Sequence, residues 1–412
     1  MKFSKYLPEF GWDPIIYTPE NPYFGIKDES LLKDLPADIE VVKRKIFEPY
    51  RLYERLIGEK GGTVNQGFID KEKYKTSIAS RISLWIRGNL FIPDPRRFWI
   101  RPSVRYLRNY LKKHPVDAII TSGPPHSMHL IGRRIRKKMH IPWIADFRDP
   151  WTEIDFYHKL NITKLADRIH KSLEEKVLKE ADMVLTVNWQ MKDAFQNMGA
   201  KKLEVVTNGF DEDDFPAQQQ KESPRFTVFH LGSMNSDRNI NNFWKSLKEL
   251  SERNAELNSK LRIVLIGKTD PSVIESIQKY ELTGKLEHYD YMPHARALSM
   301  AGEASLFYLP LNQTHNVKGI TPGKLYEYLA LRKPILCIGH KDGDAAKILD
   351  KTGAGKNVQP GDEEGMKNFI TAVFEGYYSV EDAGIEEFSR KELSKRLAGL
   401  LTDLQDSINR KY

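Results

Sequence analysis

The sequence has little cysteine and no long apolar segment. Its 412 residues include one cysteine, Cys337, which lies in the apolar run from Pro334 to Ile338. A single cysteine excludes an internal disulfide, and its apolar neighbours indicate a small buried side chain rather than a nucleophile. No run contains the ~18 apolar residues that a membrane-spanning helix requires. The sequence therefore predicts neither a disulfide nor a membrane-spanning helix.

The amino-terminal residues lack the features of a secretory signal. The segment from Met1 to Pro8 contains no apolar core and no small-residue cleavage site, so we expect a cytoplasmic protein. Apolar residues make up 40% of the chain and charged residues 29%, as in soluble globular proteins. A chain of this length exceeds what one hydrophobic core serves, which predicts two domains of about 200 residues each.

Acidic residues are scarce between positions 71 and 138. This stretch holds 17 Lys or Arg and 3 Asp or Glu, whereas the whole chain has a net charge of +8. Arginines interleaved with aromatic rings are typical of surfaces that bind anionic lipid headgroups. We therefore expect Trp85, Arg96, Arg97 and Trp99 on an acceptor-binding or membrane-binding side. The alternative is a solvated basic face over an ordinary core. No nucleic-acid-binding module accompanies the stretch, so we expect no nucleic-acid partner.

Short apolar runs alternate with helical patterns, which predicts an α/β fold whose parallel sheets are covered on both faces. In the first half the predicted strands are residues 15–18, 40–43, 118–121, 143–146, 183–187 and 204–207. In the second half they are residues 226–231, 262–266, 286–289, 306–309 and 334–338. A polar, proline-bounded stretch at 216–225 predicts a linker between domains 1–215 and 226–386.

The segment before the last predicted strand is the best candidate for a ligand site. Thr321 is placed to cap a helix, Pro322 suits the first helical turn, and Gly323 allows a ligand to approach closely. The amides and positive dipole end of such a helix bind anions, and Lys324 adds a mobile charge. Glu327 lies one turn after Gly323, where its carboxylate can accept two ribose hydroxyl hydrogens. The segment predicts a seat for a diphosphate and a sugar. The alternative is an ordinary capped helix before a buried strand.

Six motifs carry a resemblance to a known family: Phe91-Ile-Pro-Asp-Pro-Arg96, Ile120-Thr-Ser-Gly-Pro-Pro-His-Ser127, Ala145-Asp-Phe-Arg-Asp-Pro-Trp-Thr152, Thr207-Asn-Gly-Phe-Asp211, Phe229-His-Leu-Gly-Ser233 and Gly323-Lys-Leu-Tyr-Glu-Tyr-Leu329. With them the chain resembles bacterial glycosyltransferases of family 4, which have the GT-B fold of two facing Rossmann-like domains. The resemblance implies a retaining transfer of a sugar from a nucleotide-diphosphate donor, held mainly by the second domain, to a hydroxyl. It implies that no metal is required, and we expect no other cofactor. It also implies that a C-terminal helix crosses back, so that residues 387–412 complete the first domain.

The expected donor site departs from the family pattern at two places. The family carries two glutamates around the phosphate seat, and here Gly319 replaces the first while Glu327 matches the second. The family has an arginine and a lysine after the first strand of the second domain. Here Ser233 or Met234 replaces the arginine, and Arg238 lies approximately at the position of the lysine. The expected donor-binding residues are therefore Gly232, Ser233, Arg238, Thr321, Gly323, Lys324 and Glu327.

The start of the chain is a third departure from the family. Relatives begin with a strand and a glycine-rich turn, whereas this chain begins within the helix that follows them, at Lys2 to Phe10. A central strand is thus expected to be missing. Either the true start lies upstream, or the chain is a truncated and inactive version.

Residues after two strands of the first half are candidates for catalysis. His126 follows two prolines where a helix would start, and it is placed to hydrogen-bond the transferring sugar or to handle the acceptor's proton. Asp146 and Asp149 flank Arg148, so at least one carboxylate is expected only to orient that arginine. Asp149 precedes Pro150 on an exposed turn and is the better catalytic candidate, with Arg148 on the acceptor side. The D-x-D spacing at 211–214 is interpreted as solvating the linker rather than binding a metal.

These observations favour a membrane-peripheral glycosyltransferase on the inner face of the cytoplasmic membrane. We expect it to move a hexose-type sugar from a nucleotide-diphosphate donor to a lipid-linked or nascent glycan in cell-envelope polysaccharide synthesis. One alternative is a non-catalytic or truncated GT-B relative that binds a nucleotide sugar or glycan, which Gly319 and the missing strand suggest. Another is a soluble GT-B enzyme such as a nucleotide-sugar epimerase, for which the basic aromatic stretch would have no purpose.

Overall fold

The computed structural model describes residues 2–22, 35–36, 38–47, 78–154, 157–215, 223–313, 317–381 and 384–410. The chain divides into two compact units. The first unit contains Met1–Val206 and Ser394–Tyr412, and the second contains Thr207–Leu393. Most of the predicted linker at 216–225 and the beginning of the basic stretch, residues 71–77, lie outside the described residues.

The described strands of the first unit form two separate parallel sheets. In one, β1 (Ile16–Pro19) pairs with β2 (Val41–Arg44). The other contains β3 (Ile119–Gly123), β4 (Trp143–Phe147), β5 (Met183–Thr186) and β6 (Leu203–Val205) in that order. All six predicted strands are confirmed within one or two residues. Within the described part of the unit, however, the single sheet expected from the sequence is divided.

Helices cover the strands of the first unit. They span Lys2–Tyr6, Ile78–Asn89, Arg97–Leu111, Ser127–Met139, Lys164–Glu180 and Trp189–Asn197, and the last helix of the chain, Arg390–Asn409, belongs to this unit from Ser394 onward. The core lies between helices and sheet, where Trp143, Phe147 and Phe195 are fully buried. Strand β4 is buried at every position, as expected of a parallel strand with both faces covered.

The second unit contains one six-stranded parallel sheet. Its strands are β7 (Phe226–Leu231), β8 (Leu261–Ile266), β9 (Leu286–Tyr289), β10 (Leu306–Pro310), β11 (Ile335–Ile338) and β12 (Gly355–Val358), in the order β12-β11-β10-β7-β8-β9. The five predicted strands are confirmed, and β12 was not predicted. The helices span Asn241–Arg253, Ala255–Lys260, Pro271–Lys279, His294–Ala301, Gly323–Ala330, Asp344–Thr352 and Glu363–Phe374.

The centre of this sheet is apolar on both faces. Strands β7 and β10 are buried at every position, and the Tyr308 ring stacks on Phe243 with centroids 3.8 Å apart. Cys337 is fully buried in β11, as the sequence predicted, and burial raises the pKa of its thiol. Across the described residues, no helix combines the length and apolarity needed to cross a membrane.

Candidate functional site

The strand order of the second unit reverses between β7 and β10, because β8 lies beyond β7 and β11 lies beyond β10. Such a reversal opens a crevice beyond the carboxyl ends of the two strands. Residues that follow β7 and β10 contact each other there, since Arg238 Nε donates to Asn312 Oδ1 at 2.8 Å. The start of helix Gly323–Ala330 lies at the same place, with Lys324 Nζ 3.2 Å from His230 Nε2. Four separate segments therefore meet at one point.

Two aromatic side chains fix the helix Gly323–Ala330 against the sheet. The Tyr328 ring stacks on Phe307 with centroids 3.9 Å apart and an interplanar angle of 6°. The Tyr328 hydroxyl oxygen accepts a hydrogen bond from the Leu231 amide at 2.8 Å. Tyr326 is also fully buried on this helix. These contacts hold the first helical turn beside the end of β7.

The helix begins one residue later than the sequence predicted, so the prediction that Thr321 caps it is wrong. Pro322 is the N-cap residue, with an extended backbone at ψ 148°, and no side chain caps the first turn. Proline suits this position because its ring fixes φ and it has no N–H to satisfy. Thr321 precedes the cap, and its hydroxyl lies beside Tyr326. The first-turn amides, which include those of Gly323 and Lys324, thus remain without a side-chain cap.

His230 sets the orientation of the Lys324 amino group. Its ring is 1% exposed, and Nδ1 lies 2.9 Å from the Tyr308 carbonyl oxygen. A carbonyl oxygen only accepts hydrogen bonds, so Nδ1 carries the proton and Nε2 accepts from Lys324. Burial, with the nearby positive charge of Lys324, lowers the pKa of His230 well below its usual value. His230 is therefore a neutral acceptor for the lysine.

Lys324 carries a strongly perturbed amino group. Burial, followed by the positive charge of Arg238, lowers its pKa to about 7, and Glu327 opposes this shift. Its hydrogen-bond partner His230 is neutral, so this contact gives the ammonium form little compensation for lost hydration. An anion bound at the helix start would supply that compensation and raise the pKa of Lys324.

The turn after β7 leaves room for this lysine. Gly232 has φ +97°, a region that favours glycine, and a Cβ there would lie 3.0 Å from Lys324 Nζ. The Ser233 carbonyl oxygen accepts from Arg238 Nη1 at 2.8 Å. The two oxygens that hold Arg238, on Ser233 and Asn312, belong to neutral groups. The guanidinium charge is thus positioned without being neutralised by these partners.

Glu327 lies further along the same helix and contacts a histidine that the sequence did not indicate. Glu327 Oε1 is 3.1 Å from His294 Nε2, and the side chains are 29% and 56% exposed. Gly319, the position where the family has its first glutamate, ends the short 3₁₀ helix Val317–Gly319. The carboxylate of Glu327 therefore lies at the partly open side of the site.

These residues form a cationic site suited to a diphosphate. Two positive groups, Arg238 and Lys324, lie next to uncapped helix amides, and the dipole of the helix adds to their field. A negatively charged ligand that binds here also gains from the partly desolvated environment. The structure brings together the predicted residues Gly232, Ser233, Arg238, Gly323, Lys324 and Glu327 and adds His230, His294 and Asn312.

In the first unit, the helix start after β3 is already occupied by a side chain. Asp94 Oδ2 accepts from the Ser127 amide at 2.7 Å, and Asp94 Oδ1 accepts from the Arg96 amide at 2.9 Å. Burial raises the pKa of Asp94, although these backbone hydrogen bonds oppose the shift. The carboxylate takes the place that an anionic ligand would need at helix Ser127–Met139.

His126, a predicted catalytic residue, lies in an aromatic cluster at the end of β3. Its ring stacks on Trp151 with centroids 5.0 Å apart and an interplanar angle of 3°, and it is 7% exposed. Burial, followed by the charge of His129, lowers the pKa of His126 well below its usual value. His126 Nδ1 and His129 Nε2 are buried without a hydrogen-bond partner, and both are near Gly123. His126 is therefore neutral and offers polar ring atoms rather than charge.

Asp146 orients Arg148, as the sequence predicted. Arg148 Nε donates to Asp146 Oδ2 at 2.9 Å, and Nη2 lies 2.9 Å from Oδ1. The Ser122 hydroxyl donates to Asp146 Oδ2 at 2.8 Å. The Arg148 guanidinium also lies 5.1 Å above the Phe3 ring. Asp149, by contrast, is exposed on the turn after β4.

A buried glutamate holds the turn that carries Asp149. Glu174 is fully buried, and its carboxylate accepts from the Thr152 hydroxyl at 2.5 Å and from the Trp151 amide at 3.2 Å. The Trp151 indole N–H donates to His170 Nδ1 at 3.0 Å. Burial raises the pKa of Glu174. Sequence reasoning missed Glu174 and His170, because both lie on an amphipathic helix about 20 residues away from the turn.

Trp99 was expected on an acceptor or membrane side, and this prediction is wrong. Trp99 is 2% exposed and stacks on Tyr17 with ring centroids 5.6 Å apart. Along helix Arg97–Leu111 the buried positions include Ile100, Val104 and Leu111, a helical spacing that places Trp99 on the core side.

Neighbouring residues do form an exposed apolar and basic surface. Phe98 is 45% exposed and meets the 57% exposed Phe47 edge to face, with centroids 5.4 Å apart. Leu90 is 53% exposed, and its carbonyl oxygen accepts from Arg97 Nη1. Trp85, on the preceding helix, is 41% exposed. We call Phe47, Leu90, Arg97 and Phe98 the aromatic face. Arg96 lies beside it, partly buried.

The D-x-D segment at 211–214 forms a short 3₁₀ helix rather than an extended linker. Asp211 is 2% exposed and caps this helix by accepting from the Asp213 amide at 3.2 Å. Throughout the part of the chain that the structure describes, no three His, Cys, Asp or Glu side chains are grouped to hold a metal ion.

Comparison with known proteins adds independent findings. Residues 71–214 match the sequence profile of Glycosyltransferase Family 4, and residues 211–386 match that of Glycosyl transferases group 1. The chain is 26% identical over 322 residues to the probable glycosyltransferase WbjE of Pseudomonas aeruginosa. The aligned region covers 74% of this chain and 76% of the relative.

Solved structures with a similar fold have little sequence identity to this chain. The N-terminal domain of trehalose-6-phosphate phosphatase from Candida albicans aligns with a TM-score of 0.53 at 12% identity, over 95% of this chain and 97% of that one. Sucrose-phosphate synthase from Thermosynechococcus elongatus aligns with a TM-score of 0.48 at 11% identity, over 100% of this chain and 91% of that one. The first of these likenesses extends over nearly the whole chain and concerns the fold alone.

Proposed function

We propose that the chain transfers a hexose-type sugar from a nucleotide-diphosphate donor to a lipid-linked or nascent glycan. The basis is that the chain belongs to glycosyltransferase family 4 and has the two-domain Rossmann-like GT-B fold. The chain is a glycosyltransferase, and the proposal concerns its donor, its acceptor and its stereochemical course. The observation that carries the proposal is the cluster of Lys324, His230 and Arg238 at an uncapped helix start.

The diphosphate of the donor is proposed to bind across this helix start. Transfer releases a nucleoside diphosphate, so negative charge develops on the leaving oxygen and must be stabilised there. Lys324, Arg238 and the amides of the first turn supply positive charge and hydrogen-bond donors without a metal ion. Gly323 leaves space for close approach, because a Cβ at this position would meet nothing within 4 Å. Glu327 is proposed to accept hydroxyl hydrogens of a sugar from the open side of the site.

His126 and Asp149 are proposed to act on the acceptor side. His126 is neutral and able to exchange a hydrogen bond with a sugar hydroxyl, whereas Asp149 is exposed and able to receive a proton. Glu174 acts indirectly, as a positioning residue that holds the turn after β4. We propose retention at the anomeric centre, in keeping with the family resemblance.

The acceptor is proposed to be lipid-linked, and the protein is proposed to bind peripherally to the inner face of the cytoplasmic membrane. Its role there would be in cell-envelope glycan synthesis. The aromatic face supports this, because exposed rings beside arginine suit the boundary between acyl chains and anionic headgroups. Its geometry differs from the sequence-based expectation in one respect, since Phe98 and Phe47 take the role given to Trp99.

Calorimetric titration with UDP, GDP, CMP and dTDP sugars tests the donor proposal. We expect saturable binding of one donor, and we expect Lys324→Ala to weaken it at least about tenfold, as loss of a charged hydrogen bond predicts. Lys260→Ala is the matched control, because Lys260 forms a surface ion pair with Glu256 directly before β8. It therefore lies at the amino end of that strand, whereas the candidate site lies beyond the carboxyl ends of β7 and β10. Equal affinities for the two variants would remove Lys324 from the donor site.

A further inference from the structure

Glu327 brings a negative charge to the edge of the cationic site in the second unit. Burial lowers the pKa of Lys324 and the charge of Glu327 opposes this shift, so the carboxylate lies close enough to act on that amino group. Glu327 follows Gly323 by one helical turn, which is about 6 Å along the helix axis. A carboxylate repels the diphosphate proposed for the helix start. The adjoining part of the ligand must therefore offer Glu327 hydrogen-bond donors or a positive charge.

A histidine from a different loop of the sheet holds this carboxylate. His294 is the first residue of helix His294–Ala301, which follows β9, whereas the helix of Glu327 follows β10. His294 Nε2 lies 3.1 Å from Glu327 Oε1. A carboxylate only accepts hydrogen bonds, so Nε2 carries a proton and donates it to Oε1. This hydrogen bond fixes one oxygen of a long side chain that lies on the partly open side of the site.

A carboxylate held in this way suits a ligand with two neighbouring hydroxyls. Oε1 uses one lone pair for His294, which leaves its second lone pair and those of Oε2 for the ligand. A ribose carries two adjacent hydroxyls, and each can donate to one carboxylate oxygen. A 2′-deoxyribose carries only one of them and leaves an acceptor without its partner. A site built to pair with a hydroxyl discriminates against an analogue that lacks it.

We propose that His294 is a positioning residue for Glu327, and that the pair selects a ribonucleoside diphosphate sugar over its 2′-deoxy counterpart. The inference rests on the proposed function, because it takes the diphosphate at the helix start as given. It extends that function by naming the class of nucleotide and a residue that acts on it through Glu327. The His294 side chain is 56% exposed, so its replacement should leave the fold intact.

Calorimetry with UDP, GDP and their 2′-deoxy forms tests this pairing. For the nucleotide that the parent chain binds, we expect the 2′-deoxy form to bind at least about tenfold more weakly. His294→Ala should lower this ratio of dissociation constants at least about threefold, as loss of one hydrogen bond to the carboxylate predicts. His294→Gln keeps an N–H donor at a similar reach and should retain most of the ratio. His294→Phe keeps a ring without a donor and should behave like His294→Ala.

A double-variant cycle shows whether the effect of His294 passes through Glu327. Glu327→Ala should remove the preference for ribose, because it removes the proposed acceptor of both hydroxyl hydrogens. Adding His294→Ala to Glu327→Ala should then change the ratio no further, since two residues that act as one unit are not additive. A further fall in the ratio in the double variant would contradict a role through Glu327.

The outcomes separate this inference from the proposed function. Equal affinities of the parent chain for the ribose and 2′-deoxy forms, or binding of dTDP alone, would overturn the inference and leave the diphosphate site in place. An equal loss of affinity for both forms in His294→Ala would overturn it as well, because His294 would then serve the fold or the whole ligand. A parent chain that binds none of these nucleotides would overturn the inference and the proposed function together.

Discussion

Donor affinity should fall as the pH rises through neutrality, because Lys324, the key cation of the proposed donor site, has a pKa of about 7. In the free protein, burial and Arg238 hold the pKa of Lys324 at about 7. A bound diphosphate stabilises the ammonium form and raises this pKa. A group whose pKa rises on binding strengthens binding fully below its free pKa, and this contribution is lost as the pH rises from the free pKa to the pKa of the bound state.

The size of this effect follows from the same pKa. Above pH 7 each pH unit lowers the protonated fraction of free Lys324 about tenfold, so the affinity should fall by about 1.4 kcal/mol per unit until the pKa of the bound state is reached. Two groups that face Lys324, His230 and Arg238, do not imitate this. His230 remains neutral and Arg238 remains charged over this range, although burial lowers the pKa of both. Glu327 and its neighbour His294 lie on the open side.

Calorimetry between pH 6 and pH 9 with an intact nucleotide sugar measures this directly, since a doubly esterified diphosphate does not titrate in the range. The control is Lys324→Met, which should bind weakly and without the slope. Affinity that stays flat to pH 9 in the parent chain would refute the reasoning. An unchanged slope in Lys324→Met would assign it to another group.

Four substitutions test other parts of the account. Gly323→Ala should leave the melting temperature unchanged or raise it slightly, because the added Cβ has open space. The same substitution should weaken donor binding at least about tenfold in calorimetry if the diphosphate approaches the helix start. Asp149→Asn should lower kcat by about 10² or more in a transfer assay with the donor Kd unchanged; equal turnover would exclude Asp149 from catalysis. Glu174→Gln should lower the free energy of unfolding by about 1–3 kcal/mol in urea titrations, because a buried acceptor is replaced by a group that is partly a donor. Phe98→Ser should reduce flotation with anionic vesicles severalfold, whereas Tyr377→Ser, at an 82% exposed ring of the second unit, should not; equal loss in both would leave the aromatic face without a specific role.

The strands were predictable because their apolar runs are short and bounded. Strands β7 and β9 match the predicted residues at both ends. Strand β12, Gly355–Val358, was missed because Gly355-Lys-Asn-Val has only one apolar side chain and is half-exposed. It forms because the backbone of β11 pairs with it in register from Ile335 to Ile338. The local sequence of β12 does not predict this pairing.

The candidate site was predictable only where a single short segment contained all the residue types that indicate a ligand site. The run from Gly323 to Glu327 combines helix-start residues, a cation and a carboxylate within one turn, so it could be recognised alone. His230 carried a weaker signal, as a polar residue inside an apolar strand. Its partner Lys324 is 94 residues away, and only the fold brings them together. Trp99 was misplaced because its aromatic character was weighed above the helical spacing of Ile100 and Val104.

The most direct test of the central claim is release of nucleoside diphosphate from the donor that binds best, followed with a membrane lipid extract as acceptor. We expect turnover by the parent chain, a loss of at least about tenfold in kcat/KM for Lys324→Ala, and no loss for Lys260→Ala. Saturable binding without release by the parent chain would contradict the proposed transfer and favour a protein that only binds a nucleotide sugar.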